Sequence, residues 1–159
     1  KENYKNINIF SNTINNYKSE KKYDLITYWD VFEHLTDINK EMYYIKKLLK
    51  INSFLILNIP DYGSIHRKVL GYNWPFYLDV HLYYFNKKTL LRFMDDNNFE
   101  FIGSIKHIQI LKLGYISERI TNIFPFMKFL TKIIELLKIS DKKISYNVGQ
   151  NIYIFKKNV

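Results

Sequence analysis

At 159 residues, with 47% hydrophobic and 25% charged side chains, the chain has the size and balance of one globular domain able to bury a core. The absence of cysteine excludes disulfides, thiolate nucleophiles and cysteine-held zinc. The net charge of +9 rests on scattered lysines, with arginine only at Arg67, Arg92 and Arg119, so a nucleic-acid surface is not expected.

The chain opens KENYKNIN, without an initiator methionine and without an apolar signal segment, so sequence upstream of Lys1 is expected and secretion is not. No apolar run approaches the roughly 18 residues of a membrane-crossing helix, and a cytoplasmic protein is expected. Alternation at Ile7-Asn8-Ile9-Phe10 suits a brief strand, followed by an Asn-rich loop. Tyr23 to Asp30 reads as a largely buried strand. Asp37 suits the N-cap of a helix to about Lys50, with Ile38, Met42, Ile45 and Leu49 on one face and lysines in the last turns.

Phe54 to Ile59 is a second buried strand, stopped by Pro60-Asp61-Tyr62-Gly63. Ser64 can open a short helix ending near Gly71. The aromatic loop YNWPFYLDVHLYYF then leads to a helix from about Lys87 to Asp96. A strand begins at Phe99 and runs toward Ile110, and Ile152 to Phe155 gives a last one. Between them, Ile116 to Ile139 is amphipathic and helical, interrupted by Pro125. Strands alternating with helices imply an α/β layer with a mainly parallel sheet.

Three segments, in this order and spacing, resemble one family. YDLITYWDVFEHLTD (23–37) resembles the fourth strand and following turn of class I S-adenosylmethionine-dependent methyltransferases, in the subgroup with a D-V-x-E-H motif. IKKLLKINSFLILNIPDYGS (45–64) is similar to the helix, turn and fifth strand of that family, with Asn52-Ser53 in place of the usual Gly-Gly. HLYYFNKKTLLRFMDDNNFE (81–100) resembles the subgroup's His-Leu-x-x-Phe segment.

The resemblance implies a Rossmann-like sheet of order 3-2-1-4-5-7-6, entered near strand three. The five glycines, at 63, 71, 103, 114 and 149, form no G-x-G, so strands one and two and the Gly-rich cofactor loop have no counterpart. The expectation is a single partial methyltransferase domain: a remnant of strand three and a loop (1–22), a core (23–110), a helical insertion (111–149) and a final strand (150–159). Without strand one, the Leu25–Tyr28 strand is expected to carry an open edge, favouring self-association or disorder before Tyr23.

By the same resemblance, S-adenosylmethionine is the cofactor, with Tyr28, Trp29 and Asp30 lining its methionine end. Asp30 and His34 would face the methyl acceptor, and His81, in the aromatic loop, is an alternative base. Asp30-x-x-Glu33-His34 also matches positions at which quinone-pathway relatives hold a divalent ion. Three roles stay open for this motif: hydrogen bonding within the turn, which is favoured, acid–base work, and metal binding, which is not expected. His81 and its aromatic neighbours have a purely structural alternative as well. His66 and His107 carry no supporting context.

The implied function is O-methylation of a small molecule, glycan or quinone-like acceptor. The alternative is a non-catalytic interaction module that has lost cofactor binding, which leaves enzyme status open. The basic amphipathic segment 116–139 adds peripheral membrane contact as a third reading, against the plainer one of a cap over the sheet.

Overall fold

The computed structural model describes residues 7–158. Four strands form the main sheet: β1 (Tyr23–Trp29), β2 (Leu49–Pro60), β3 (Phe99–Lys106) and β6 (Gln150–Lys157), in the order β1-β2-β6-β3. β1 and β2 are parallel, whereas β6 runs antiparallel to both β2 and β3. The α/β class and the mainly parallel sheet hold among the described residues: β1, β2 and β3 run in one direction and β6 alone is reversed. β6 turns back antiparallel along β3 and lies between it and β2, with Tyr153 opposite Leu57.

α1 (Ile38–Leu48) joins β1 to β2. Its N-cap Asp37 accepts a hydrogen bond from Lys40 N at 2.9 Å, satisfying one of the free amides of the first turn. The turn before the buried part of β2 places Asn52 at φ 62, a left-handed conformation that asparagine tolerates better than most side chains. α2 (Ile65–Leu70) starts at Ser64, whose hydroxyl accepts from Arg67 N, and ends at Gly71 with φ 56. α3 (Lys87–Asp95) is capped by Asn86 and Thr89, each accepting from the other's backbone amide.

α1 and α3 pack on one face of the sheet. Met42, Ile45, Leu90 and Met94 meet Leu55, Leu57, Ile59 and Phe155, and all are at most 1% exposed. The opposite face carries Leu25, Phe54 and Ile105, which are 40–60% exposed. Strand alternation therefore gives one dry face and one open apolar face. Among the described residues no strand pairs with the outer edge of β1.

Two sequence expectations change. Ile7 to Phe10 is irregular and exposed rather than a strand; a lone strand has no ladder to satisfy its amides, and none of the described strands pairs with it. Residues 1–6 lie outside the described residues. The strand from Phe99 ends at Lys106, where His107 N donates to Gln150 O at 3.0 Å, and the chain then leaves the sheet. It forms β4 (Gln109–Lys112), which pairs antiparallel with β5 (Lys143–Tyr146), a strand the periodicity missed. These two close the neck of an excursion built of α4 (Leu113–Ile123), a turn at Pro125–Met127 and α5 (Lys128–Leu136). Pro125 divides the helices as its missing amide demands. No helix among the described residues is long and apolar enough to cross a membrane.

Candidate active site at the carboxyl end of the sheet

β1 ends at Trp29 beside Asn58, and the parallel β2 runs two residues further to Pro60, opposite which β6 begins at Gln150. In open α/β sheets this end, where the backbone leaves the ladder, is where ligands bind. Asp30 takes φ 54 there, a left-handed conformation costing a non-glycine residue about 1 kcal/mol or more. Its amide donates to Asn58 O at 3.2 Å. Its Oδ1 accepts from Asn58 Nδ2 at 3.2 Å and from Gln150 Nε2. Asn58 and Gln150 are buried, whereas Asp30 itself is exposed. Two buried amides thus fix one carboxylate oxygen, and the other accepts no hydrogen bond among the described residues.

Trp29, half-exposed, meets the His107 ring edge-on at 6.2 Å. His107 Nδ1 lies 3.0 Å from Gln150 Oε1. Sequence reasoning passed over Gln150, Asn58 and His107; the one available signal was Gly149, just before the last strand. Gly149 sits at φ +96, and a Cβ there would come within 2.7 Å of Ser64 Cβ. Its carbonyl accepts from Asp61 N at 2.7 Å, while Trp74 Nε1 donates to Val148 O at 2.6 Å. Only glycine lets this turn press so close to α2 and carry Gln150 under Asp30.

Tyr28 is a correction. One step along β1 from Trp29, its side chain points to the opposite face, as strand alternation requires. It is buried against Phe32, and its hydroxyl donates to Glu41 Oε1 at 2.5 Å. Burial first, and the Glu41 bond second, hold its phenol well above the ordinary range. Its side chain serves the α1 interface and does not reach the end of the sheet.

The turn Phe32–His34 and the loop at 76–84 build a second polar cluster. Leu82 N and Tyr83 N both donate to Glu33 O, at 2.9 and 3.1 Å, which fastens the loop to the turn. The His34 and His81 rings meet edge to face at 4.5 Å. His34 Nδ1 lies 2.9 Å from Val80 O, and His81 Nδ1 lies 2.8 Å from Phe76 O. Glu33 is 2% exposed, and its Oε2 has no hydrogen-bond partner among the described residues. Burial pushes the Glu33 carboxyl up to about 7. Burial, then the facing His34, holds the His81 imidazole below its usual value.

Ligand-capable atoms of Glu33, His34 and His81 all lie within 4.8 Å of one another. The sequence motif had grouped Asp30 with Glu33 and His34. The structure turns Asp30 to Asn58 and Gln150 and brings His81 into its place. His66 joins neither cluster.

A cavity of about 470 Å³ opens between the aromatic loop and α4, lined by Leu70, Tyr72, Trp74, Tyr77, Tyr115, Phe124 and Arg119 among others. A shallower groove, sharing Leu78, Tyr115 and Arg119 with it, extends to His107 and so to the edge of Trp29.

No curated protein matches the chain significantly. Among solved structures, a SAM-dependent methyltransferase from Thermotoga maritima superposes with a TM-score of 0.53 at 16% identity, over 93% of this chain and 62% of that one. A protein of Bacillus halodurans proposed to be a methyltransferase gives 0.52 at 12% identity, over 87% of this chain and 66% of that one. YcgJ of Bacillus subtilis gives 0.50 at 12% identity, over 87% and 65%. The chain thus spans a little under two-thirds of each of these proteins. The order β1-β2-β6-β3 corresponds to the 4-5-7-6 half of the class I sheet. The profile described as a methyltransferase domain matches residues 3–103, well over half of the sequence, and with the shared fold it places this chain in the class I S-adenosylmethionine-dependent methyltransferase family.

Proposed function

We propose that this chain forms the acceptor side and the methionine-end wall of a SAM-dependent O-methyltransferase acting on a small hydroxylated molecule. The observation that carries it is the hydrogen-bonded carboxylate at the end of β1: Asp30 fixed by Asn58 and Gln150, with one oxygen left over. The cofactor brings a sulfonium and an ammonium group, and an exposed carboxylate on buried amides suits either cation. The half-exposed Trp29 ring offers an apolar wall beside it. These groups fit the methionine end; the Gly-rich loop that would receive the remainder has no counterpart in the sequence.

When bound, S-adenosylmethionine supplies the methyl group, and this chain's part is to place the acceptor, exclude water and manage one proton. The Glu33–His34–His81 cluster is the proton-handling group on the acceptor side. The cavity between the aromatic loop and α4, with aromatic walls and Arg119 in its lining, favours a quinone-like phenol over a glycan. Incubation with S-adenosylmethionine and matched panels of phenols and glycans tests this. A mass gain of one methyl group on phenols is the expected result. Methylation confined to glycans, or absent in a sample that binds the cofactor, would overturn the reading.

A second reading is favoured by the open sheet face and by the edge of β1, which no strand among the described residues pairs. Apolar Leu25, Phe54 and Ile105 beside an unpaired strand support association with another copy or polypeptide, with or without catalysis. Light scattering across a concentration series tests it, a mass fixed at one chain being the contrary outcome.

A further inference from the structure

We infer that Glu33, His34 and His81 form a binding site for one divalent first-row transition cation, with Asp30 outside the ligand set. The site's existence stands on geometry alone; only its use in handling the acceptor's proton rests on the methyl-transfer reading.

Three observations converge. First, both imidazoles have their Nδ1 against a backbone carbonyl, Val80 O at 2.9 Å and Phe76 O at 2.8 Å. A carbonyl only accepts, so each Nδ1 carries the proton and each neutral ring keeps its lone pair on Nε2. This is the arrangement in which metal-ligating histidines are held: one nitrogen donates to the protein and the other faces the ion. Second, Glu33 is 2% exposed and its Oε2 finds no donor among the described residues. A buried carboxylate oxygen without a partner is costly, and a cation removes that cost. Third, the three side chains already present ligand-capable atoms within 4.8 Å of one another.

Tetrahedral coordination at about 2.0–2.2 Å places ligand atoms roughly 3.3 Å apart, so atoms now within 4.8 Å of one another need draw in by no more than about 1.5 Å. Two imidazoles and one carboxylate suit Zn²⁺, Fe²⁺, Co²⁺ or Mn²⁺ better than Mg²⁺ or Ca²⁺, which prefer all-oxygen shells. Three protein ligands leave positions for water or an acceptor oxygen. The backbone bonds from Leu82 N and Tyr83 N to Glu33 O hold the two contributing segments in register, as a preformed site needs.

Chelator-treated full chain titrated with Co²⁺ tests the site directly, because bound cobalt is visible by its d–d absorption whether or not methyl transfer occurs. One ion per chain is expected, with bands showing imidazole and carboxylate coordination. His81→Gln and Glu33→Gln should each weaken binding at least about tenfold, while Asp30→Asn leaves it nearly unchanged. Where a variant does not fold, Mn²⁺ broadening of the His34 and His81 ring resonances in the unaltered chain is the parallel readout. Absence of cobalt bands, unbroadened histidine signals, or loss of binding in Asp30→Asn but not in His81→Gln would each overturn the inference.

Discussion

The two faces of one sheet behave differently. On one, β1, β2 and β6 alternate so that Leu55, Leu57, Tyr153 and Phe155 meet α1 and α3 and lose almost all contact with water. On the other, Leu25, Phe54 and Ile105 are equally apolar and stay 40–60% exposed. β2 supplies both sets, so side-chain chemistry does not explain the difference; what covers each face does. The dry face carries the chain's own stability. The open face is held only by its ladder and contributes little until something packs on it.

This contrast can be broken by substitution. Leu57→Ala on the dry face should cost about 2–5 kcal/mol in denaturant unfolding, because its neighbours on α1 and α3 cannot close the cavity. Gly149→Ala, at the turn that places Gln150 between the faces, should cost about 1–3 kcal/mol, from φ +96 and the collision with Ser64. It should also weaken cofactor binding by displacing the partner of Asp30. Tyr28→Phe removes the bond to Glu41 and should cost about 1–2 kcal/mol, with cofactor affinity unchanged because the ring faces the core. Leu25→Thr and Ile105→Thr on the open face should shift stability by no more than about 0.5 kcal/mol, while reducing any concentration-dependent association seen in light scattering. A large loss of stability from the last pair would show that the open face is covered in solution.

How much was legible follows the same division. The dry-face elements were readable because they carry local signals: Asp37 as a cap, the spacing of Ile38, Met42 and Ile45, Pro60 as a stop. The excursion was only half readable, since Pro125 marks the break between α4 and α5 but nothing in Lys143–Tyr146 announces a four-residue strand. Its partner β4 lies 31 to 37 positions upstream, residue for residue, and only tertiary pairing defines it.

The site was legible where neighbours in sequence act together, as Glu33 and His34 do. It was not legible where the decisive partner is distant. Gln150 reaches Asp30 across 120 positions, and His81 replaces Asp30 beside Glu33 through backbone bonds that no motif encodes. Tyr28 was misassigned because the motif treats residues 28–30 as a block, whereas strand alternation sends Tyr28 and Trp29 to opposite faces.

The central claim is that the carboxyl end of β1 holds the cofactor's methionine end. Calorimetric titration of the full chain with S-adenosylhomocysteine, repeated on Asp30→Ala and Tyr28→Phe, tests it most directly. The account predicts saturable binding that Asp30→Ala weakens at least about tenfold, as loss of a charged hydrogen-bonding partner does, and that Tyr28→Phe leaves intact. Binding unaffected by Asp30→Ala, or no binding by a folded sample, would contradict it.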